Sequence, residues 1–98
     1  MRVMLRAHID TQAANEATRA GVLPQAMKKL MDKVKPEAAY FGPSEGVRSC
    51  WIVFDMQDSW EMPALLEGLF TELNAEIEIS PVMNAEDLAR GLSQMQGG

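Results

Sequence analysis

The densest apolar run of the chain is VRSCWIVFDM, from Val47 to Met56. It is bounded by Gly46 before it and by polar residues after it, and it is rich in β-branched and aromatic side chains. These features predict a strand in the interior of a sheet. A strand that is apolar at nearly every position is typical of a sheet with both faces covered. A chain of 98 residues has few other elements to cover both faces of a sheet, so a second copy of the chain is expected to cover one of them.

The residues before this strand show first a strand pattern and then a helical pattern. Residues 2–10 alternate between apolar and mixed positions, which predicts a first strand. A helical pattern follows, and Gly21 and Pro24 fall inside it. Because proline and glycine interrupt helices, we expect two pieces, over 12–20 and 23–34.

A hairpin is predicted to lead into the long strand. Residues 37–41 have the composition of a short strand, and the five residues 42–46 (GPSEG) have that of a turn. The two strands are therefore expected to pair.

The rest of the chain predicts a helix, a strand and a short final helix. Asp58 begins the helix with a capping box, and Asn74 ends it. Residues 76–82 alternate again, and Pro81 indicates an edge strand or a strand end. Asn84 caps the last helix, which has a single apolar stripe.

The order β-α-β-β-α-β with an added C-terminal helix predicts an α+β protein of the ferredoxin-like type. We expect a four-stranded antiparallel sheet with its helices on one face. One domain is predicted over residues 1–96, with a flexible tail at 97–98.

Composition excludes several classes of function. The net charge of -5 argues against nucleic acid and anionic membranes as partners, because such binding needs clustered cations. The lysines at 28, 29, 33 and 35 fall on the polar side of a helix, where a solvated face is expected. Cys50 is the only cysteine, so no intrachain disulfide is possible. No stretch has the length of a membrane span or the pattern of a signal peptide, so we expect a cytoplasmic protein.

The sheet face opposite the helices is predicted to be apolar. If Cys50, Ile52 and Phe54 pack under the helices, alternation places these residues on the other face: Met4, Arg6, His8, Trp51 and Val53. Leaving them in water would cost a few kcal/mol at roughly 25 cal/mol per Å². A twofold homodimer with its sheets face to face would cover them.

This layout resembles the dimeric α/β-barrel superfamily, over residues 2–83. The segments CWIVFDMQDSWEMPALLEGLF and IEISPVM are similar to the third strand, second helix and fourth strand of muconolactone-isomerase-like members. PEAAYFGP and LNAEIEISPVMNAEDLARGL also resemble small uncharacterised bacterial members. The resemblance implies a sheet-to-sheet dimer and activities that include cofactor-free isomerases and monooxygenases and haem-degrading enzymes. The resemblance does not include a catalytic motif, so no active-site residue of the family is assigned to this chain.

His8 and Arg6 are the candidate catalytic residues. His8 is the only histidine and can exchange a proton near neutral pH, or it can simply hydrogen-bond at the barrel wall. Arg6 lies two residues away on the same face and could hold an enolate or a carboxylate. Arg48 could join it from the next strand, or the arginines could form ion pairs with Glu78 or with an aspartate.

Other residues are candidates for binding substrate. Tyr40 and Trp51 could form an aromatic wall for a planar substrate or fill a subunit interface. Met4 lies on the same face, and Met4, Arg48 and Glu78 are the other candidates for binding substrate. No metal is expected, since one histidine, one cysteine and scattered carboxylates show no ligand spacing. No cofactor is expected either, because no glycine-rich phosphate loop is present and His8 would be a lone axial ligand for haem.

Two functions remain open. One is a small-molecule-binding dimer, acting as a cofactor-independent isomerase, cyclase or monooxygenase on a hydrophobic anionic substrate. The other is a non-catalytic dimeric module for ligand binding or assembly. Fold alone does not decide between them, but a polar cavity of several hundred cubic ångströms, roughly, would favour the first.

Overall fold

A computed structural model of the protein describes residues 1–97. The four strands are β1 (Arg2–His8), β2 (Ala38–Ser44), β3 (Val47–Asp55) and β4 (Glu76–Pro81). The helices of these residues are α1 (Thr11–Arg19), α2 (Val22–Val34), α3 (Met62–Leu73) and α4 (Ala85–Met95), with a 3-10 turn at Ser59–Glu61. The sheet has the order β2-β3-β1-β4, and its pairs are antiparallel. The predicted α+β, ferredoxin-like arrangement is confirmed.

The helix boundaries follow from the local sequence. Asp10 caps α1, because its Oδ2 accepts a hydrogen bond from the amide of Ala13 at 2.9 Å. Gly21 separates α1 from α2 with a φ of 73°, so the predicted break is confirmed there. Asn74 ends α3 with a φ of 48°, and the predicted capping box at Asp58 is present.

The hairpin between β2 and β3 is tighter than predicted. Pairing continues to Ser44 opposite Val47, so the turn consists of Glu45 and Gly46, with φ values of 55° and 82°. The prediction of a five-residue turn is therefore wrong. Proline has no backbone N–H to donate to a neighbouring strand. Pro43 is tolerated inside β2 because β2 is an edge strand and pairs on one side only.

The core lies between the helices and one face of the sheet. Alternate residues of β1 and β3 point into it, and each is at most 1 % exposed: Val3, Leu5, Ala7, Cys50, Ile52 and Phe54. The helices add apolar side chains from the other side, including Ala14, Leu30, Leu66, Leu69 and Leu73. This face of β3 is covered as the sequence predicts. The tail predicted at 97–98 includes residue 98, which lies outside the described residues.

Candidate functional site

Apart from the buried Ser49, the side chains on the second face of the sheet are half-buried or exposed. We define the open face by seven of these residues: Met4, Arg6, His8, Tyr40, Trp51, Val53 and Glu78. Among residues 1–97, those of the open face are never fully buried, in contrast with the core face. Six of the seven predicted site residues lie here, and Arg48 is the exception.

One row of the open face crosses the whole sheet. Tyr40 pairs with Trp51, Trp51 with Arg6, and Arg6 with Glu78. Directly opposed residues in antiparallel strands have Cβ atoms about 4.5–5.5 Å apart, so these side chains are neighbours. The row therefore passes from two aromatic rings to a cation and then to a carboxylate.

Arg6 is incompletely satisfied. Its Nε is buried and, within residues 1–97, has no hydrogen-bond partner. Glu78 stands opposite it in the register, yet no ion pair between the two is seen in the described part of the chain. A buried donor on a charged group normally has an acceptor, because leaving it unpaired costs about 1–3 kcal/mol or more. The Nε–H of Arg6 therefore lacks an acceptor, and a bound anion could supply one.

His8 lies one row further along and is held by Ser49. The Nδ1 of His8 is 2.9 Å from the Oγ of Ser49, and that Oγ is 3.1 Å from the carbonyl oxygen of Val47. A serine hydroxyl has a single proton, so it donates either to Val47 or to the Nδ1 of His8. In the tautomer in which Nδ1 donates to Ser49, the Nε2 of His8 is the proton acceptor. A groove of about 340 Å³ adjoins His8 near Glu76.

Ser49 is a positioning residue that the sequence did not reveal. It is the buried polar residue of β3 and the register partner of His8. A lone serine in an apolar run gives no signal, and only the register places it beside His8.

Arg48 lies on the opposite face, so its predicted placement beside Arg6 is wrong. It has the same parity along β3 as Cys50, and its Nη1 donates to the Oδ1 of Asn15 in α1 at 3.1 Å. Successive side chains in a strand point to opposite faces, so a residue an even number of positions from Cys50 points to the helix face, as Cys50 does. Arg48 borders an apolar cavity of about 310 Å³ that also includes Phe41.

Cys50 is a core thiol. It is buried, and burial raises its pKa, because the thiolate would lose its hydration. A hydrogen bond involving the backbone of Ala7 acts in the opposite direction but is the smaller effect. A thiol that stays protonated is a poor nucleophile, so no covalent chemistry is assigned to it.

A cavity of about 740 Å³ lies where α4 joins the sheet. Arg2 donates to Glu37 at 2.7 Å and to Asp87 of α4 at 2.5 Å. The hydrogen bond to Glu37 is the main reason why the pKa of Arg2 is raised, so its charge is permanent. The polar groups of this cavity thus bind one another, and we assign it a structural role.

Among the side chains of residues 1–97, no cluster of three or more histidines, cysteines or carboxylates could hold a metal ion. No helix in that range is long and apolar enough to cross a bilayer.

The sheet order, the single helical layer and the open face define the class, a small α+β protein of ferredoxin-like arrangement. Residues 1–96 match the family described as Domain of unknown function (DUF3303), and the chain belongs to that family. No curated protein matches it.

Two solved structures show similar folds. The de novo designed protein Ferredog-Diesel is 9 % identical, with 83 % of this chain and 85 % of that chain covered and a TM-score of 0.47. Protein Atu4242 from Agrobacterium tumefaciens is 14 % identical, with 87 % and 96 % covered and a TM-score of 0.46. These comparisons do not confirm the finer resemblance to muconolactone-isomerase-like proteins.

Proposed function

We propose that this protein is a homodimer that binds a small hydrophobic anion between the open faces of its two copies. The observation that carries the proposal is the buried, unpaired Nε of Arg6 at the centre of the open face. A carboxylate or enolate would supply the missing acceptor in a charge-assisted hydrogen bond. Trp51, the cross-strand partner of Arg6, and Met4, two residues before Arg6 in β1, would bound the apolar part of the ligand.

The exposed surface of the chain supports a second copy. A compact monomer of 10.8 kDa exposes about 5,500 Å², whereas this chain exposes 6640 Å². The surplus is about 1,100 Å², which exceeds the roughly 800 Å² that one partner contributes to a standard interface. The open face accounts for part of that surplus, since Tyr40 alone is 67 % exposed.

His8 decides whether the dimer also catalyses. In the tautomer in which Nδ1 donates to Ser49, its Nε2 accepts a proton on the same face as the Arg6 cation, which is the pairing that proton abstraction beside a carboxylate requires. With that role, the protein would be a cofactor-independent isomerase, cyclase or monooxygenase, as in muconolactone-isomerase-like members. Without it, the same dimer would be a ligand-binding or assembly module. Both versions include a cytoplasmic location and no nucleic acid or membrane partner, and the net charge of -5 supports the absence of such partners.

Tryptophan fluorescence tests the binding site directly. The chain has two tryptophans, and Trp60 is exposed away from the sheet, so Trp60→Phe leaves Trp51 as the reporter. Benzoate titrated into this variant should change the Trp51 emission, while benzamide, which has the same ring without the charge, should bind at least about tenfold more weakly.

Arg6→Gln should weaken benzoate binding by at least about tenfold, because a hydrogen bond to a charged group contributes about 1.5–3 kcal/mol. Arg48→Gln is the matched control, since it removes the same charge from the opposite face. Equal benzoate affinities for the two variants would refute the role of Arg6. His8→Gln should leave benzoate binding intact, and it would abolish turnover only if the catalytic version holds.

A further inference from the structure

The apolar cavity of about 310 Å³ beside Arg48 lies on the helix side of the sheet, between α2 and the β2-β3 hairpin. We call it the hairpin cavity. It lies on the opposite side of the sheet from the open face, so it is a separate site. Its apolar lining comes from the residue after β1, from α2 and from the two hairpin strands: Ile9, Leu23, Met27, Phe41, Pro43 and Cys50.

The register shows why the helical layer leaves a gap here. Phe41 pairs with Cys50, so both side chains point to the helix side of the sheet. Cys50 is 1 % exposed, whereas Phe41 is 58 % exposed. The helices therefore cover β3 at this level but do not extend over β2. Leu23 and Met27, four residues apart on one side of α2, border the gap.

Arg48 supplies the charge in the lining of the cavity. It precedes Cys50 by two residues in β3 and pairs with Pro43. Its Nη1 donates to the Oδ1 of Asn15 at 3.1 Å, and within residues 1–97 it forms no salt bridge. A guanidinium has five N–H donors, so donors remain for a ligand while Asn15 holds the group in place.

The size of the cavity selects a small molecule. Its volume is at the lower end of the roughly 300–1,000 Å³ that is typical of ligand pockets. Two turns of an α-helix about 10 Å wide occupy roughly 800 Å³, so a helix of a partner protein would not fit.

The chemistry of the lining selects an apolar chain with an anionic end. Apolar walls favour an aliphatic ligand, and a guanidinium without a salt bridge favours a carboxylate, which it can bind with two parallel hydrogen bonds. Among residues 1–97, no carboxylate lines the cavity and would repel such an anion.

We propose that the hairpin cavity binds a medium-chain aliphatic carboxylate. The chain lies between Met27 and Phe41, and the carboxylate accepts hydrogen bonds from Arg48. Methionine suits this role because its flexible side chain adapts to the ligand. The inference is independent of the open face and of the homodimer. It gives Arg48 the task of binding an anion, at a site different from that of Arg6.

Titration calorimetry with butyrate, hexanoate and octanoate tests the class of ligand. Each added methylene that enters the cavity should tighten binding about fourfold, because burying a methylene is favourable. Octanamide has an apolar chain of the same length without the charge, and it should bind at least about tenfold more weakly than octanoate.

Two pairs of variants test the residues. Arg48→Gln should weaken octanoate binding at least about tenfold, whereas Arg6→Gln, which removes the same charge from the open face, should leave it unchanged. Phe41→Ala should weaken it at least about fivefold, because the chain loses an apolar wall. Tyr40→Ala is the control, since Tyr40 is the neighbouring aromatic residue and points to the other face. Both aromatic side chains are exposed and lie outside the core, so circular dichroism should show an intact fold.

Methionine methyl signals in NMR spectra locate the ligand. Met27 lines the hairpin cavity and Met4 lies on the open face, and their signals are assigned with Met27→Leu and Met4→Leu. Octanoate should shift the Met27 signal and leave the Met4 signal in place.

The outcomes separate this site from the open face. Octanoate binding that is weakened by Arg6→Gln and shifts the Met4 signal alone would overturn the hairpin site and favour the open face. Binding that grows with chain length but is unchanged in Arg48→Gln would overturn the assignment of a carboxylate. An absence of octanoate binding would overturn the hairpin site and leave the proposed function standing.

Discussion

The left-handed turn at Gly21 links a single backbone angle to the stability of the fold. Gly21 has a φ of 73°, and a Cβ added there would meet nothing within 4 Å. Gly21→Ala therefore introduces no clash, and its cost is that of an L-residue in the left-handed region, about 1–2 kcal/mol. Alanine also restricts the unfolded chain, which offsets about 0.4–1 kcal/mol. We expect a net destabilisation of about 1 kcal/mol.

Gly68→Ala is the matched control. Gly68 lies within α3, and a Cβ there also meets nothing within 4 Å, but its backbone is helical. Alanine should stabilise that position by about 0.8–1 kcal/mol. The two variants should therefore shift Tm in opposite directions, each by about 4–8 °C for a domain of this size. Melting curves by circular dichroism would show the opposite shifts. They should be recorded at one fixed protein concentration, because association raises Tm. Shifts of the same sign would refute the assignment of the turn.

Two further predictions concern the core and a helix start. Because burial raises the pKa of Cys50, its contribution to stability is complete while the thiol is protonated in both states and is lost as pH rises through the folded-state pKa. Urea unfolding should therefore show a larger loss of stability for wild type than for Cys50→Ala between neutral pH and about pH 10, and equal losses would contradict it. Asp10→Ala should lower the unfolding free energy by about 1 kcal/mol through loss of the bond to Ala13, whereas an unchanged urea midpoint would show that the cap is dispensable.

The alternation of side chains was enough to predict most of the open face. Met4, Arg6 and His8 alternate with core residues along β1, and Trp51 alternates with Cys50 and Ile52 along β3. The same rule contradicts the predicted role of Arg48. It lies three residues before Trp51, and an odd separation in a strand leads to the other face. That error was avoidable from the sequence.

The row that joins Tyr40 to Glu78 could not be predicted, because it depends on register. A five-residue turn would have paired Phe41 with Val47 and set Tyr40 opposite Arg48. The actual two-residue turn moves the register by three positions and sets Tyr40 opposite Trp51. A shift by an odd number also exchanges the faces, so a small error in turn length changes which residues meet.

The sequence likewise predicted the apolar stripe of α4 but not its uncovered state. Whether a stripe at Leu88 and Leu92 packs on its own sheet depends on where the helix leaves the last strand. That direction is set by the contact between Arg2 and Asp87, which are 85 positions apart in the chain. Contacts at that separation have no local signal.

A site between the open faces of two copies couples ligand binding to association. A ligand held there contacts Arg6 of one chain and side chains of the other. Such a ligand binds the dimer better than the monomer, and by linkage it must strengthen the dimer by the same factor. Benzoate affinity should then depend on protein concentration. A site contained within one chain would show no such dependence, so the concentration series distinguishes a site shared by two chains from a site within one.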